Sequence, residues 1–170
     1  DKLSFKKNIV FKKVNYSYDN SRQILNNLDI SIKIGDHVGI YGETGSGKST
    51  FLDLFMGLIP PSSGQIFIDD VDIHKDKYQG AWTSMISHVP QIIFLKEGTI
   101  AENIAFGETA NTIDYKLLNK SAKAANIYEF IHESDEGLKT SVGESGIKLS
   151  GGQRQRIAIA RMILNNPKLV

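Results

Sequence analysis

The stretch Gly42-Glu43-Thr44-Gly45-Ser46-Gly47-Lys48-Ser49 follows the spacing G-x-x-x-x-G-K-[ST] and limits the fold more than any other feature of this sequence. An apolar run at 38–41, read as a short strand, precedes it. Residues 49–56 follow and read as a helix stopped by Gly57 and the Pro60-Pro61 pair. A strand that turns through a glycine-rich curl into a helix gathers successive backbone N–H groups in one small arc. Gly42, Gly45 and Gly47 permit that curl because glycine tolerates positive φ and puts no Cβ in the way. The helix adds the positive end of its dipole. Such an arc suits a triphosphate: Lys48 is expected to reach the β- and γ-phosphates, and the Ser49 hydroxyl to bind Mg²⁺. The run from Gly42 to Thr50, with Glu43, Thr44 and Ser46 inside it, is the candidate nucleotide-binding segment.

The rest of the chain fits an α/β domain. Residues 9–18 are rich in Val, Phe and Tyr, and Leu28, Ile30, Ile32 and Ile34 alternate with polar residues, so both segments read as strands. Gly35-Asp36 reads as a turn, and 65–69 and 85–89 as further strands. From 99 to 131 the pattern is helical. Asn111 or Thr112 is placed to cap a helix that carries Ile113, Leu117, Leu118, Ala122 and Ala125 on one face and Lys116, Lys120 and Lys123 elsewhere. Residues 137–147 read as a loop, 150–165 as a helix ending before Pro167, and 168–170 as the first residues of a strand. With 41% hydrophobic and 23% charged residues, neither a disordered nor a fibrous class fits. A net charge of +1 gives no electrostatic reason to expect a nucleic-acid partner, and the absence of cysteine excludes disulfides, thiolate catalysis and a Cys-type zinc site. No apolar stretch approaches the roughly 18 residues of a membrane-spanning helix. The start, with Asp1, Lys2, Lys6 and Lys7, is no signal peptide and does not begin with Met, which reads as a fragment of a longer polypeptide.

Leu149-Ser150-Gly151-Gly152-Gln153 is the second strong motif. Ser150 and Gln153 are spaced as a capping box, which opens a helix at Gly151. The box leaves Gly151 and Gly152 unexplained, because glycine weakens a helix; two of them in the first turn make sense where something must approach the backbone closely. A helix start with a serine hydroxyl is itself an anion site. One chain would then carry two phosphate-binding helix starts, most simply arranged as a dimer in which each serves the other's nucleotide.

With both motifs in place the sequence resembles the ABC ATPase family over its whole length, and Leu149 to Gln153 match the family's signature without a departure. The resemblance implies a P-loop NTPase fold of the RecA-like kind: a parallel-sheet α/β core, an N-terminal antiparallel β part and an inserted α-helical subdomain. It divides the chain into 1–97 (first part of the ATP-binding core), 98–149 (helical subdomain) and 150–170 (signature helix and the start of the Walker B strand). Val89-Pro90-Gln91 looks like the Q-loop, so Gln91 would touch Mg²⁺ and the attacking water. Tyr18 looks like the aromatic that stacks on adenine, with Tyr16 as the alternative stacker. Thr99-Ile100-Ala101-Glu102-Asn103-Ile104 and Val142-Gly143-Glu144-Ser145-Gly146 resemble the exporter branch, with Ser141 and Ser145 standing where that branch usually has Glu and Arg. The function implied is that of the nucleotide-binding domain of an exporter or flippase. It would bind ATP and Mg²⁺, pair head to tail with a second such domain, and hydrolyse ATP to drive transmembrane domains encoded upstream, at the cytoplasmic face of a membrane. Other readings are an ABC ATPase without transport, acting in repair or on ribosomes, and a nucleotide sensor. The short spacing from Gln91 to Leu149 argues against the coiled-coil repair type. The Walker B acids would follow Val170.

Overall fold

The computed structural model describes residues 3–19, 22–74, 78–109 and 111–170; Asp1 and Lys2, part of the charged start, lie outside the described residues. The chain divides into two compact units, Asp1–Ile86 and Ser87–Val170.

The first unit is built on an antiparallel sheet ordered β2-β1-β3-β4, from β1 (Asn8–Ser17), β2 (Gln23–Lys33), β3 (Ser63–Ile68) and β4 (Val71–Asp72). Ile9 pairs with Ile32 on one side and Ile68 on the other, and Phe11 with Ile30 and Ile66, so one face of the sheet is continuously apolar. The alternation expected in β2 holds from Leu28 to Lys33, with Ile32 buried and Asp29, Ser31 and Lys33 exposed, but Ile34, the last of the expected inward series, lies past the strand and is exposed. In β1 it slips. The ladder shifts register between Phe11 and Val14, Lys13 takes φ 49°, and the buried series runs Ile9, Phe11, Val14. Gly64 of β3 answers this bulge. Its φ is +85°, and a Cβ there would lie 2.3 Å from the Lys13 carbonyl oxygen. Asp69, just past β3, accepts backbone N–H bonds from Lys6, Lys7 and Asn8 and ties down the entry to β1. Partial burial pulls its carboxyl upward, but those three donors and the Lys7 charge prevail and hold it below the ordinary range.

Helix α1 (Lys48–Phe55) packs Phe51, Leu54 and Phe55 on the apolar face. Phe11 stacks on Phe51 and Phe55 at 5.1 and 6.3 Å between ring centroids, and Trp82 meets Phe55 edge-on at 6.2 Å. Trp82, in α2 (Gln79–Thr83), is fully buried and donates its indole N–H to the Phe55 carbonyl at 2.8 Å, so its role is packing. Gly57 closes α1 as expected: its N–H and that of Leu58 return to the carbonyls of Leu54 and Asp53.

Of two other segments read as strands, 38–41 joins no ladder, and 85–89 has a single bridge residue, Ile86, and forms no strand. Residues 38–41 leave Val38, Ile40 and Tyr41 exposed beside β2. Their apolar character is strand-like, but a strand exists only through a paired neighbour, and no described segment supplies one within the unit. Residues 82–86 close a turn instead, with Met85 and Ile86 N–H bonded to Trp82 and Thr83 carbonyls.

The second unit is helical: α3 (Ile100–Ile104), α4 (Tyr115–Ala124), α5 (Tyr128–Glu133) and α6 (Gly151–Leu164), with 3-10 turns at Gly137–Lys139 and Glu144–Gly146. Its core joins Leu95, Ile100, Ile104, Leu118, Ala122, Ile127, Val142, Ile157 and Ala160. The cap of α4 is Asp114, not Asn111 or Thr112; its Oδ1 accepts from Lys116 and Leu117 N–H. Leu117, assigned to the buried face, is exposed. Ser121 takes that place, fully buried, its hydroxyl donated to the Leu117 carbonyl, because Leu118, Ser121, Ala122 and Ala125 make the inward stripe. Near the end of the chain the Leu169 carbonyl accepts from the Ser87 N–H at 3.0 Å.

Gly64→Ala tests the bulge. It should cost about 1–3 kcal/mol or more of stability, measured by urea denaturation, while Gly80→Ala, with no atom near the new Cβ, should cost little. Equal stability of the two variants would show that the Lys13 bulge does not constrain Gly64.

Candidate nucleotide-binding site

In the first unit the candidate residues converge on the start of α1. Its N-cap is Gly47, with φ 91° and no side chain to accept from the first turn, and the first turn holds no acid. The leading N–H groups of this helix are therefore left for an outside acceptor. Gly47 is also required by packing, since a Cβ there would come within 2.9 Å of Ile24 Cγ2 on β2. Lys48 turns back over the loop and donates to the carbonyls of Gly42 at 2.8 Å and Glu43 at 2.7 Å. The Ser46 N–H donates to the Glu43 carbonyl at 3.2 Å, so the loop closes as a ring with its cation at the rim. Ser49 is exposed on the first turn of α1, and Thr50 is buried beneath it.

Tyr18 follows the end of β1, and its hydroxyl shares a 3.0 Å hydrogen bond with the Thr50 hydroxyl. Tyr16 meets the Tyr18 ring edge-on at 5.0 Å. Tyr18 is 66% exposed, so its ring stands open beside the phosphate loop while its hydroxyl is anchored; Tyr16 is half-buried. The Tyr18–Thr50 link joins two candidate residues that lie far apart in the chain and share no local motif. An apolar hollow of about 310 Å³ lies alongside, between β2 residues Leu25, Leu28 and Ile30 and the segment 38–41.

In the second unit, Ser150 caps α6 through the expected capping box: its Oγ accepts from Gln153 N–H at 3.2 Å, and Gln153 Oε1 accepts from Ser150 N–H at 2.8 Å. Leu149 is buried. Its carbonyl accepts from Arg154 Nη1 at 3.0 Å, a support not foreseen from the sequence. A Cβ at Gly152 would meet nothing within 4 Å, and one at Gly151 only the end of the Arg154 side chain at 4.0 Å. Neither glycine has positive φ, so neither conformation nor packing within the chain demands them. Gln91 is exposed. With Ser145, Gly151, Arg154 and Gln155 it lines one depression of about 620 Å³ at the start of α6. Ser145 sits there with φ 51°. Ser141 bridges Thr99, joining the approach to the signature with the N-cap of α3. Among the described residues no three His, Asp or Glu gather as a metal site. His74 is half-buried, and its imidazole is held below its ordinary pKa by desolvation, against the opposing pull of Asp72.

A loop that presents helix N–H groups beside a lysine defines a nucleotide-binding protein of the P-loop class. The ABC transporter family profile matches residues 25–170, and the chain belongs to that family, as one of its ATP-binding domains, with the α/β P-loop NTPase fold and an antiparallel N-terminal sheet. It is 39% identical over all 170 residues to the uncharacterized ABC transporter ATP-binding protein YwjA of Bacillus subtilis. It is 42% identical over 159 residues, 93% of the chain, to an ATP-dependent lipid A-core flippase of Coxiella burnetii. Among solved structures, that of a bacterial Atm1-family ABC exporter with ATP bound superposes on 97% of the chain with a TM-score of 0.88 at 37% identity. The chain spans 29%, 27% and 28% of these three proteins' lengths.

If Gly152 answers no need of the fold, Gly152→Ala should leave melting unchanged or raise stability by about 0.5–1 kcal/mol, as alanine does in a helix. A clear loss in thermal denaturation would mean that the glycine serves the chain's own packing.

Proposed function

We propose that this chain is the nucleotide-binding domain of an ABC exporter or flippase: it binds MgATP, closes head to tail on a second such domain, and hydrolyses ATP to drive transmembrane domains. The observation that carries the proposal is the contrast between two helix starts. α1 has no cap and a lysine beside it, which suits a nucleotide held in the same chain. α6 is capped by its own side chains yet opens on two exposed glycines, where added Cβ atoms would meet nothing closer than the end of the Arg154 side chain at 4.0 Å, which suits a ligand carried by another molecule. Gly42 to Gly47 would wrap the phosphates, Lys48 would pair with the β- and γ-phosphates, and the Tyr18 ring would stack on adenine. Ser150, Gly151 and Gly152 would face the γ-phosphate bound by the partner.

Mg²⁺ fits the donors at hand. Ser49 offers an exposed hydroxyl and Gln91 an exposed amide, both hard oxygen donors, and Mg²⁺ in such sites needs few protein ligands because the phosphates supply the others. Bound there, the ion would offset charge developing on the phosphate oxygens. Gln91 would orient the attacking water, and Lys48 would hold the phosphate being transferred. Among the described residues no helix is long and apolar enough to cross a membrane. The likeness to an exporter and a flippase supports transmembrane domains elsewhere in the full protein, with this domain at the cytoplasmic face. The same likeness supports transport over repair or sensing.

Lys48→Ala should weaken MgATP binding by roughly 1.5–3 kcal/mol with the fold intact. Tyr18→Ala should cost about 1–3 kcal/mol, while Tyr18→Phe, which loses only the Thr50 bond, should bind nearly as well. Titration calorimetry decides both, and a larger loss from Tyr16→Ala would move the stacking role to that ring. In the full-length protein, Ser150→Arg should leave ATP binding to each domain unchanged and abolish ATP-dependent closure and turnover. Normal phosphate release by that variant would refute the facing arrangement.

A further inference from the structure

Arg161 lies near the far end of α6, half-buried among residues of the helical core, and among the described residues no carboxylate pairs with it. Desolvation lowers its pKa, but a guanidinium stays charged in a protein. A charge kept in such a place costs stability unless its donors find acceptors. Here three of its five N–H donors are spent on main-chain oxygens that no helix or ladder satisfies. Nε donates to the Asn103 carbonyl in the last turn of α3 at 2.8 Å, and Nη1 and Nη2 both donate to the Phe94 carbonyl at 3.2 Å. The guanidinium also lies over the Phe106 ring, 4.8 Å from its centroid, and Phe94 meets Phe106 edge-on at 6.4 Å. Asn103, fully buried, completes the arrangement. Its Oδ1 accepts from Lys96 N–H, and its Nδ2 donates to the Lys96 and Thr99 carbonyls, each at 3.0 Å. The main chain from Phe94 to Thr99 is thus held at four points by two side chains. Gln91 lies three residues before Phe94, and shares one depression with Gly151 and Arg154 at the other end of the helix that carries Arg161.

We propose that Arg161 is a positioning residue for Gln91: by clamping the Phe94 carbonyl to α6, it makes the Gln91 segment and the signature helix move as one piece. A merely space-filling residue at 161 could be apolar, as Ile157 and Ala160 beside it are. The fork to two carbonyls requires arginine, because lysine keeps the charge but cannot span both oxygens in one plane. The role rests on the assignment of Gln91 to Mg²⁺ and water made above.

The test uses the full-length protein in lipid vesicles, with MgATP turnover as the readout. Arg161→Lys should lower kcat about tenfold or more, since small misplacements of a reacting group are costly, while KM for ATP stays within about twofold. Gln91→Ala should also be slow, and the double variant Arg161→Lys/Gln91→Ala should be no slower than Gln91→Ala alone, as expected when one residue acts through the other. Phe106→Ala removes only a half-exposed ring, so it tests the clamp should Arg161→Lys fail to fold. It should lower kcat about threefold, again without adding to Gln91→Ala. Full turnover by both Arg161→Lys and Phe106→Ala, or losses that multiply with Gln91→Ala, would overturn the positioning role alone. Full turnover by Gln91→Ala would instead remove the Gln91 assignment, and the positioning role with it.

Discussion

The first N–H groups of a helix have no partner inside it and must find acceptors elsewhere. Much of this molecule is arranged around how each helix meets that demand. α3 and α6 satisfy it with reciprocal capping boxes, and α4 with the carboxylate of Asp114. α1 alone of these begins at a glycine, with no side-chain acceptor and no acid in its first turn. Its start leaves N–H groups open to an acceptor from outside the helix, and what surrounds it keeps them so. Gly47 lies against Ile24 of β2, β2 is paired to β1, and Phe11 of β1 stacks on Phe51 and Phe55 of α1. The aromatic stack and the sheet thus hold the open helix end in one orientation, and Lys48 curls over the loop carbonyls to keep the cation at its mouth.

α6 uses the same constraint in the opposite way. Its N–H groups are partly satisfied from within, and the backbone is nonetheless left bare at Gly151 and Gly152. Arg154 fixes the Leu149 carbonyl at one end of this helix, and Arg161 fixes the Phe94 and Asn103 carbonyls near the other. A single helix therefore carries the signature at its start and a main-chain clamp near its end, and the segment after Gln91 is held by that clamp. Both arginines act on carbonyl oxygens rather than on acids, so each bond sets a position of the main chain more than it neutralises a charge.

Several readings of the sequence failed for reasons that lie outside any local window. Residues 38–41 have the composition of a strand but no ladder, because pairing is a property of two segments and the sequence of one does not supply the other. The α4 cap moved to Asp114 because several capping residues stand close together and the packing of Ile113 and Leu118 decides which begins the helix. The apolar character of Leu117 suggests an inward position, but the inward stripe is set by Leu118, Ala122 and Ala125, and Ser121 is buried with its hydroxyl bonded to the Leu117 carbonyl. Arg161 left one trace in the sequence, a cation in the otherwise apolar run from Ile157 to Leu164. Nothing in that run says which carbonyls it would reach.

The sequence by itself determined the chemistry at the two helix starts: a glycine curl before Lys48 and Ser49, and a capping box around Gly151 and Gly152. Both are local devices, in which every participating group lies within a few residues and backbone geometry does the rest. The tertiary structure alone decided which groups from distant segments meet. It set the Tyr18 hydroxyl on Thr50, the Gly47 backbone against Ile24, Gly64 under the Lys13 bulge, and the Arg161 fork on the carbonyls of Phe94 and Asn103. Those contacts follow from burying one apolar sheet face and one helical core, a requirement met by the folded chain as a whole and written in no single motif.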